Sequence, residues 1–133
     1  MRGHDVAIAC AGAGAAEGYD RYSLKLDQDA FLTDVASAAT QARHTTNGPA
    51  SGSRAVPPLV VAALAPGSIT AGWAANTQGA ILAFLPGQEA GRAFADVLLG
   101  DVNPSGRLPV TIPYREDQVS YLSPLCYCCA VFA

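Results

Sequence analysis

The chain has 133 residues, of which half are hydrophobic and 14% are charged, and its formal net charge is −3. This length suits one domain or part of one, and it allows the folded chain to bury roughly two-thirds of its unfolded surface. The sequence argues against nucleic acid as a partner, because it has no cluster of Lys and Arg, and against a membrane, because no apolar stretch reaches the roughly 18 residues of a spanning helix.

The first half of the chain predicts a strand, a loop and a helix. Residues 5–11, DVAIACA, are small and β-branched, which favours a strand buried on both faces. A loop of small residues follows, and residues 27–42 then predict a helix. The apolar face of that helix is predicted to consist of residues at helical spacing: Phe31, Val35, Ala38 and Ala42. The polar segment 44–58 predicts an exposed loop or an insertion.

The second half continues the alternation. It predicts a strand in 58–66, a short helical segment in 67–78, a strand in 79–87, a helix in 88–100 that ends at Gly100, and an edge strand in 106–113. Alternating strands and helices indicate a layered α/β sheet with right-handed crossovers. Ligands of such sheets bind at loops beyond the carboxyl ends of the strands, and the loop after residues 5–11 is one of these.

That loop resembles a dinucleotide-binding loop at Gly12 and Gly14 only in part. The fingerprint needs a third glycine, which allows the helix to approach the strand, and Glu17 stands in that position. A carboxylate there would repel the pyrophosphate. The chain also has no P-loop Lys-Ser or Lys-Thr pair. The sequence therefore disfavours a nucleotide-binding α/β domain.

The same stretch places Glu17, Tyr19, Asp20 and Arg21 within five residues. A carboxyl group acts as a general acid where apolar neighbours shield it, and Tyr19 is such a neighbour. Asp20 and Arg21 could pair and hold the loop. A solvated turn with an ordinary surface ion pair would show the same spacing, so composition leaves both interpretations open.

Two segments resemble glycoside hydrolase family 3, the β-glucosidases and their relatives. EGYDRYSLKLDQ, residues 17–28, is similar to the acid/base loop of that family. Residues 80–113, with PGQEAGRAFADVLLGDVNPSGRLPVTIP, resemble the most recognisable block of its second domain. The resemblance covers residues 5–114, in family order and at about family distance. Residues 115–133 are predicted to be an unassigned, irregular tail.

The resemblance implies a fold and an activity. The fold is an α/β three-layer sandwich with a mostly parallel sheet and helices on both faces, here incomplete at its N-terminal side. In the family, this domain packs against a (β/α)8 barrel whose aspartate is the nucleophile of a retaining mechanism. The resemblance assigns the general acid/base to Glu17, and substrate binding or loop bracing to Tyr19, Asp20 and Arg21. The substrate it implies is a β-linked glucoside or oligosaccharide, with no cofactor and no metal.

Other features depart from the family pattern. The barrel and the early strands of the sandwich are missing, so the chain is expected to be a fragment. Cys126, Cys128 and Cys129 lie close together without a fourth ligand at useful spacing, which argues against structural zinc. Besides a sugar-cleaving enzyme, a non-catalytic remnant or a carbohydrate-binding module fits the same residues.

Overall fold

A computed structural model describes residues 4–46 and 56–119 of the chain. Most of the polar segment 44–58, and the three cysteines near the carboxyl end, lie outside these residues. The elements are β1 (Ala7–Gly12), α1 (Asp29–Thr46), β2 (Leu59–Leu64), a first 3₁₀ helix (Gly72–Asn76), β3 (Gly79–Ala83), α2 (Ala90–Leu99) and a second 3₁₀ helix (Glu116–Gln118). Among these elements, no helix has the length and apolar character needed to cross a membrane.

The three strands form a parallel sheet in the order β1-β2-β3. Ala9 pairs with Val61, and Val61 with Ala80, so each strand lies in register with the next. The connections between the strands contain α1 and the first 3₁₀ helix. The predicted α/β class with a parallel sheet is thus confirmed. Because the strands are parallel, the loops after β1, β2 and β3 all leave from the same edge of the sheet.

The buried core lies on one face of the sheet. Alternate residues of β1 and β2 point to this face, and they are mostly small. The core there contains Ala9, Leu59, Val61 and Ala63 from the strands, Leu32 and Ala36 from α1, and Trp73 from the first 3₁₀ helix. Alanine side chains on β1 let α1 approach the sheet closely, and α1 also packs against the first 3₁₀ helix.

The opposite face of the sheet is covered less completely by the described residues. Ile8 is 48% exposed, Leu64 is 40% exposed, and Cys10 is exposed. Ala62, between them in the sheet, is buried. Two large aliphatic side chains on a strand face are normally covered by another layer of structure.

The buried face of α1 differs from the predicted one. Leu32 and Ala36 are fully buried, whereas Phe31 is 53% exposed and Ala38 is exposed. Phe31 and Leu32 are adjacent and both apolar. Each therefore begins a set of residues at helical spacing, and the two sets lie on neighbouring faces of the helix. The structure turns the face with the smaller side chains inward, where Ala36 permits a close approach to the first 3₁₀ helix. Val35 borders both faces and is half-buried.

The helix predicted in 88–100 is α2, and it ends as predicted. Gly100 adopts φ of 86°, the left-handed conformation that glycine enters without a Cβ clash. Its N–H donates to the carbonyl oxygen of Val97 at 3.2 Å. No residue of α2 is buried, and Leu99 is 79% exposed.

The edge strand predicted in 106–113 is absent from the described part of the chain. Residues 106–111 are exposed and make no ladder with β3. Pro109 has no N–H to contribute to such a ladder. The chain packs against the core again at Ile112, which is buried. The next residue, Pro113, accepts a hydrogen bond from the Ala71 N–H on its carbonyl oxygen at 2.9 Å.

We expect Leu32→Ala to lower the free energy of unfolding by about 2 to 5 kcal/mol, because it opens a cavity between α1 and the sheet. The neighbouring substitution Phe31→Ala is a matched control, and it should cost less than about 1 kcal/mol, because that ring is half in solvent. Urea unfolding followed by circular dichroism measures both. A larger loss for Phe31→Ala than for Leu32→Ala would contradict the packing described.

Candidate functional site

The loop between β1 and α1, residues 13–28, is closed at its base by three hydrogen bonds. The Asp27 N–H donates to the Gly12 carbonyl oxygen at 2.9 Å. The Gln28 side-chain oxygen accepts from the Gly12 N–H at 2.8 Å, and an Asp27 carboxylate oxygen accepts from the Gly14 N–H at 3.2 Å. The loop therefore leaves the sheet and returns to the same point. Two amides that a phosphate group would need are already engaged by side chains.

The tip of this loop is a tight turn that presents Glu17. The Tyr19 N–H donates to the Ala16 carbonyl oxygen at 3.3 Å, and Gly18, third in the turn, has φ of 75°. This positive φ belongs to a type II turn and favours glycine there. Glu17 is exposed at the second position, and within residues 4–46 and 56–119 its carboxylate has no hydrogen bond or salt bridge.

The Arg21 side chain is bound by two backbone carbonyl oxygens. Its guanidinium donates to the Lys25 carbonyl oxygen at 2.8 Å and to the Ser68 carbonyl oxygen at 3.3 Å. The second contact ties the loop after β1 to the loop after β2. Asp20 and Arg21, which could have paired on their spacing, form no salt bridge in the described structure, and Asp20 is exposed.

Tyr19 pairs with Tyr22 at the surface of the loop. Their rings meet edge to face with centroids 6.0 Å apart, and the Tyr22 hydroxyl donates to the Tyr19 hydroxyl oxygen at 3.4 Å. This hydrogen bond raises the pKa of the Tyr22 hydroxyl. Tyr19 is 69% exposed, and the Glu17 side chain that the sequence analysis placed beside it is also exposed. The pair links the turn to the second half of the loop.

Glu116 also belongs to this site, and sequence analysis missed it. One of its carboxylate oxygens accepts from the Ser23 hydroxyl at 2.5 Å and from the Leu24 N–H at 2.6 Å. These hydrogen bonds lower the pKa of the Glu116 carboxyl. The residue falls in the segment assigned to an irregular tail, and nothing local in the sequence connects positions 23 and 116. The Glu-Asp-Gln run itself indicates only a short helical turn.

A polar cavity of about 290 Å³ opens beside this contact. Its lining residues come from the β1–α1 loop, the start of α1, the start of the first 3₁₀ helix with the segment before it, and the carboxyl-terminal part: Lys25, Asp29, Thr70, Gly72, Tyr114, Arg115, Glu116 and Asp117. Arg115 and Asp117 form a bidentate salt bridge at 2.9 and 3.1 Å. Two cations and three carboxylates therefore surround a small volume at the foot of the loop.

Comparison with known proteins identifies the chain. The model of the glycosyl hydrolase family 3 C-terminal domain matches residues 1–128. The chain belongs to this family. The match continues beyond Tyr114, where the sequence resemblance ended, and it includes Glu116. No solved structure matches the family 3 domain described here.

Curated relatives of this family 3 domain carry β-glucosidase names. A 56-residue segment is 48% identical to Probable beta-glucosidase I of Aspergillus terreus and covers 41% of the chain and 7% of that protein. A 41-residue segment is 58% identical to Beta-glucosidase B of Emericella nidulans and covers 31% of the chain and 5% of that protein. The aligned segments thus span a small part of the relatives' length.

The hydrogen bonds to Glu116 predict a pH dependence of the loop. The lowered pKa means that the folded protein prefers the ionised carboxyl, so its contribution is complete above roughly pH 4.3 and is lost as the pH falls through the lowered value. Lys25, Asp29, Arg115 and Asp117 line the same cavity. The Leu24 amide signal, followed by NMR between pH 6 and pH 3, should shift as the carboxylate that accepts its hydrogen bond is protonated, because the bond to a charged acceptor weakens.

The matched control for that titration is Glu116→Gln, which keeps an acceptor oxygen and has no proton to gain. The Leu24 signal of this variant should not respond to Glu116 titration. A Leu24 signal with the same pH profile in both proteins would contradict the assignment of the titrating group.

Proposed function

We propose that this chain is the acid/base domain of a retaining, β-glucosidase-type glycoside hydrolase, with Glu17 as the general acid and base. The observation that carries the proposal is the position of Glu17. Its carboxylate is exposed and unpaired among the described residues, at the tip of a loop whose base is closed and which lies at the carboxyl edge of a parallel sheet. The family membership supports the same assignment.

The chemistry proposed is double displacement at an anomeric carbon. A nucleophilic aspartate from a (β/α)8 barrel domain, outside the 133 residues, attacks the sugar and forms a covalent intermediate. Glu17 first protonates the departing oxygen and then removes a proton from the incoming water. Retention requires the two carboxyl groups to lie about 5 to 5.5 Å apart. An exposed tip lets Glu17 enter a cleft formed by a facing domain.

The remaining residues of the loop divide by their contacts. Arg21 has both contacts on backbone carbonyl oxygens, which suits a bracing role. Asp20 and the Tyr19 ring are exposed beside Glu17, so we propose that they contact substrate hydroxyls and the sugar face. The substrate proposed is a β-linked glucoside or oligosaccharide, in line with the names of the relatives. The proposed reaction needs only the two carboxyl groups and water, and no cofactor.

The isolated chain is expected to show no glycosidase activity, because one carboxylate cannot carry out double displacement. The measurement is release of nitrophenol from an aryl β-glucoside by the purified 133-residue protein. Turnover that Glu17→Gln abolishes would contradict the proposed division of the active site between two domains.

The acid role is tested in a hybrid enzyme, in which residues 1–128 replace the corresponding segment of Emericella nidulans Beta-glucosidase B. Glu17→Gln should lower kcat for alkyl β-glucosides by roughly 10² to 10⁴, since these leaving groups need a proton. For 2,4-dinitrophenyl β-glucoside, the rate of forming the covalent intermediate should fall much less, because this leaving group needs no proton. Added azide should restore turnover, because it attacks the intermediate in place of the activated water.

Glu89→Gln is the matched control in the hybrid, because Glu89 is another exposed glutamate and lies in the turn before α2. This substitution should leave kcat unchanged for both substrates. Equal losses of kcat on both substrates for Glu17→Gln would contradict the acid role. An unmutated hybrid that binds sugar without turnover would favour the carbohydrate-binding alternative.

A further inference from the structure

The Glu116 carboxylate connects two parts of the chain that are far apart in sequence. Ser23 and Leu24 donate to a single oxygen of Glu116 at 2.5 and 2.6 Å, across 93 and 92 residues. Both distances are at the short end of the range for hydrogen bonds to a charged acceptor. The Ser23 hydroxyl also accepts from the Lys25 N–H at 3.1 Å, so three consecutive residues of the loop are organised around this contact.

A continuous set of contacts leads from Glu116 to the Glu17 turn. Tyr22 directly precedes the anchored Ser23, and its ring and hydroxyl contact Tyr19. Tyr19 in turn closes the four-residue turn by donating its N–H to Ala16. The first half of the loop is held separately at Gly12 and Gly14. Arg21 and the Thr70 N–H also hold the second half, through the carbonyl oxygens of Ser68, Lys25 and Leu24. Release of Ser23 would therefore act on the part next to Tyr22, and through Tyr22 on the turn.

We infer that Glu116 is a positioning residue that sets the location of the Glu17 carboxyl by anchoring the second half of the β1–α1 loop. The inference rests on the proposed function, because it assigns Glu116 a role in the proton transfer that Glu17 performs. Glu116 itself does not touch the reacting atoms. Its part is to hold the donor at a constant distance from a leaving oxygen supplied in the facing cleft.

The neighbouring Asp117 offers a matched control. It belongs to the same 3₁₀ helix and carries the same charge, but it pairs with Arg115 and makes no hydrogen bond to the β1–α1 loop among the described residues. Asp117→Ala therefore removes a carboxylate from the same cavity without removing the anchor. Glu116→Gln retains the acceptor oxygen and tests whether geometry, rather than charge, is needed.

The first experiment measures hydrogen exchange by mass spectrometry in the full 133-residue chain, or in the hybrid enzyme if the chain alone aggregates. Glu116→Ala should accelerate exchange of the peptide that covers residues 19–25 by roughly tenfold. Asp117→Ala should exchange like the unmutated protein, and Glu116→Gln should retain most of the protection. The inference is overturned if Glu116→Ala and Asp117→Ala change the exchange rate of this peptide equally. It is also overturned if Glu116→Ala accelerates exchange in β1 as much as in the loop.

The second experiment measures kcat and KM of the hybrid enzyme on a methyl and a 2,4-dinitrophenyl β-glucoside. Glu116→Ala should lower kcat for the methyl glucoside roughly tenfold with KM unchanged, and should spare the activated substrate. Glu116→Gln should keep kcat for the methyl glucoside close to that of the unmutated hybrid. If Glu17→Gln shows this selectivity and Glu116→Ala does not, the inference fails while the proposed function stands. If neither variant shows this selectivity but Glu116→Ala accelerates exchange of the loop, the proposed function fails. Glu116 is then shown only to anchor the loop.

Discussion

The closure of the β1–α1 loop at Gly12 is the constraint on which the candidate site depends. The Gly12 N–H donates to the Gln28 side chain, and the Gly12 carbonyl oxygen accepts from the Asp27 N–H. The end of β1 therefore lies next to the residues that lead into α1. The residues between them project from the sheet as a closed loop rather than as a slack connection. A carboxylate at the tip of such a loop stays exposed and is not buried by its own domain.

The packing below the loop explains why that presentation is stable. The core face of the sheet is lined largely by small side chains, which allows α1 and the first 3₁₀ helix to lie close against it. The contact from Arg21 to Ser68 and the hydrogen bond from the Thr70 N–H to the Leu24 carbonyl oxygen, at 2.9 Å, then fasten the loop to the segment after β2. Thr70 is buried, so this fastening is shielded from water.

Sequence reasoning predicted well what depends on local pattern. The three parallel strands, both α-helices and the glycine at the end of α2 follow from residue periodicity and from the special backbone freedom of glycine. The resemblance that singled out Glu17 was carried by local motifs, and the family match now supports it. The roles of Glu17, Tyr19, Asp20 and Arg21 themselves stay predictions.

What depends on contacts distant in sequence was missed. The face of α1 was placed on Phe31 because spacing cannot choose between two adjacent apolar residues, whereas packing against Trp73 can. Spacing alone offered Asp20 as a partner for Arg21, whereas in the structure the Arg21 guanidinium donates to the carbonyl oxygens of Lys25 and Ser68. Glu116 was missed for the same reason, since its partners lie more than 90 residues upstream.

The contact between Ser23 and Glu116 also has a meaning for how such domains can be exchanged between proteins. The two residues lie near opposite ends of the described chain, so a recombination point anywhere between them combines a loop from one parent with an anchor from another. Both halves would keep their recognisable motifs. Exchange of this domain as a unit therefore preserves the loop, whereas exchange of its halves requires both parents to carry the same pair.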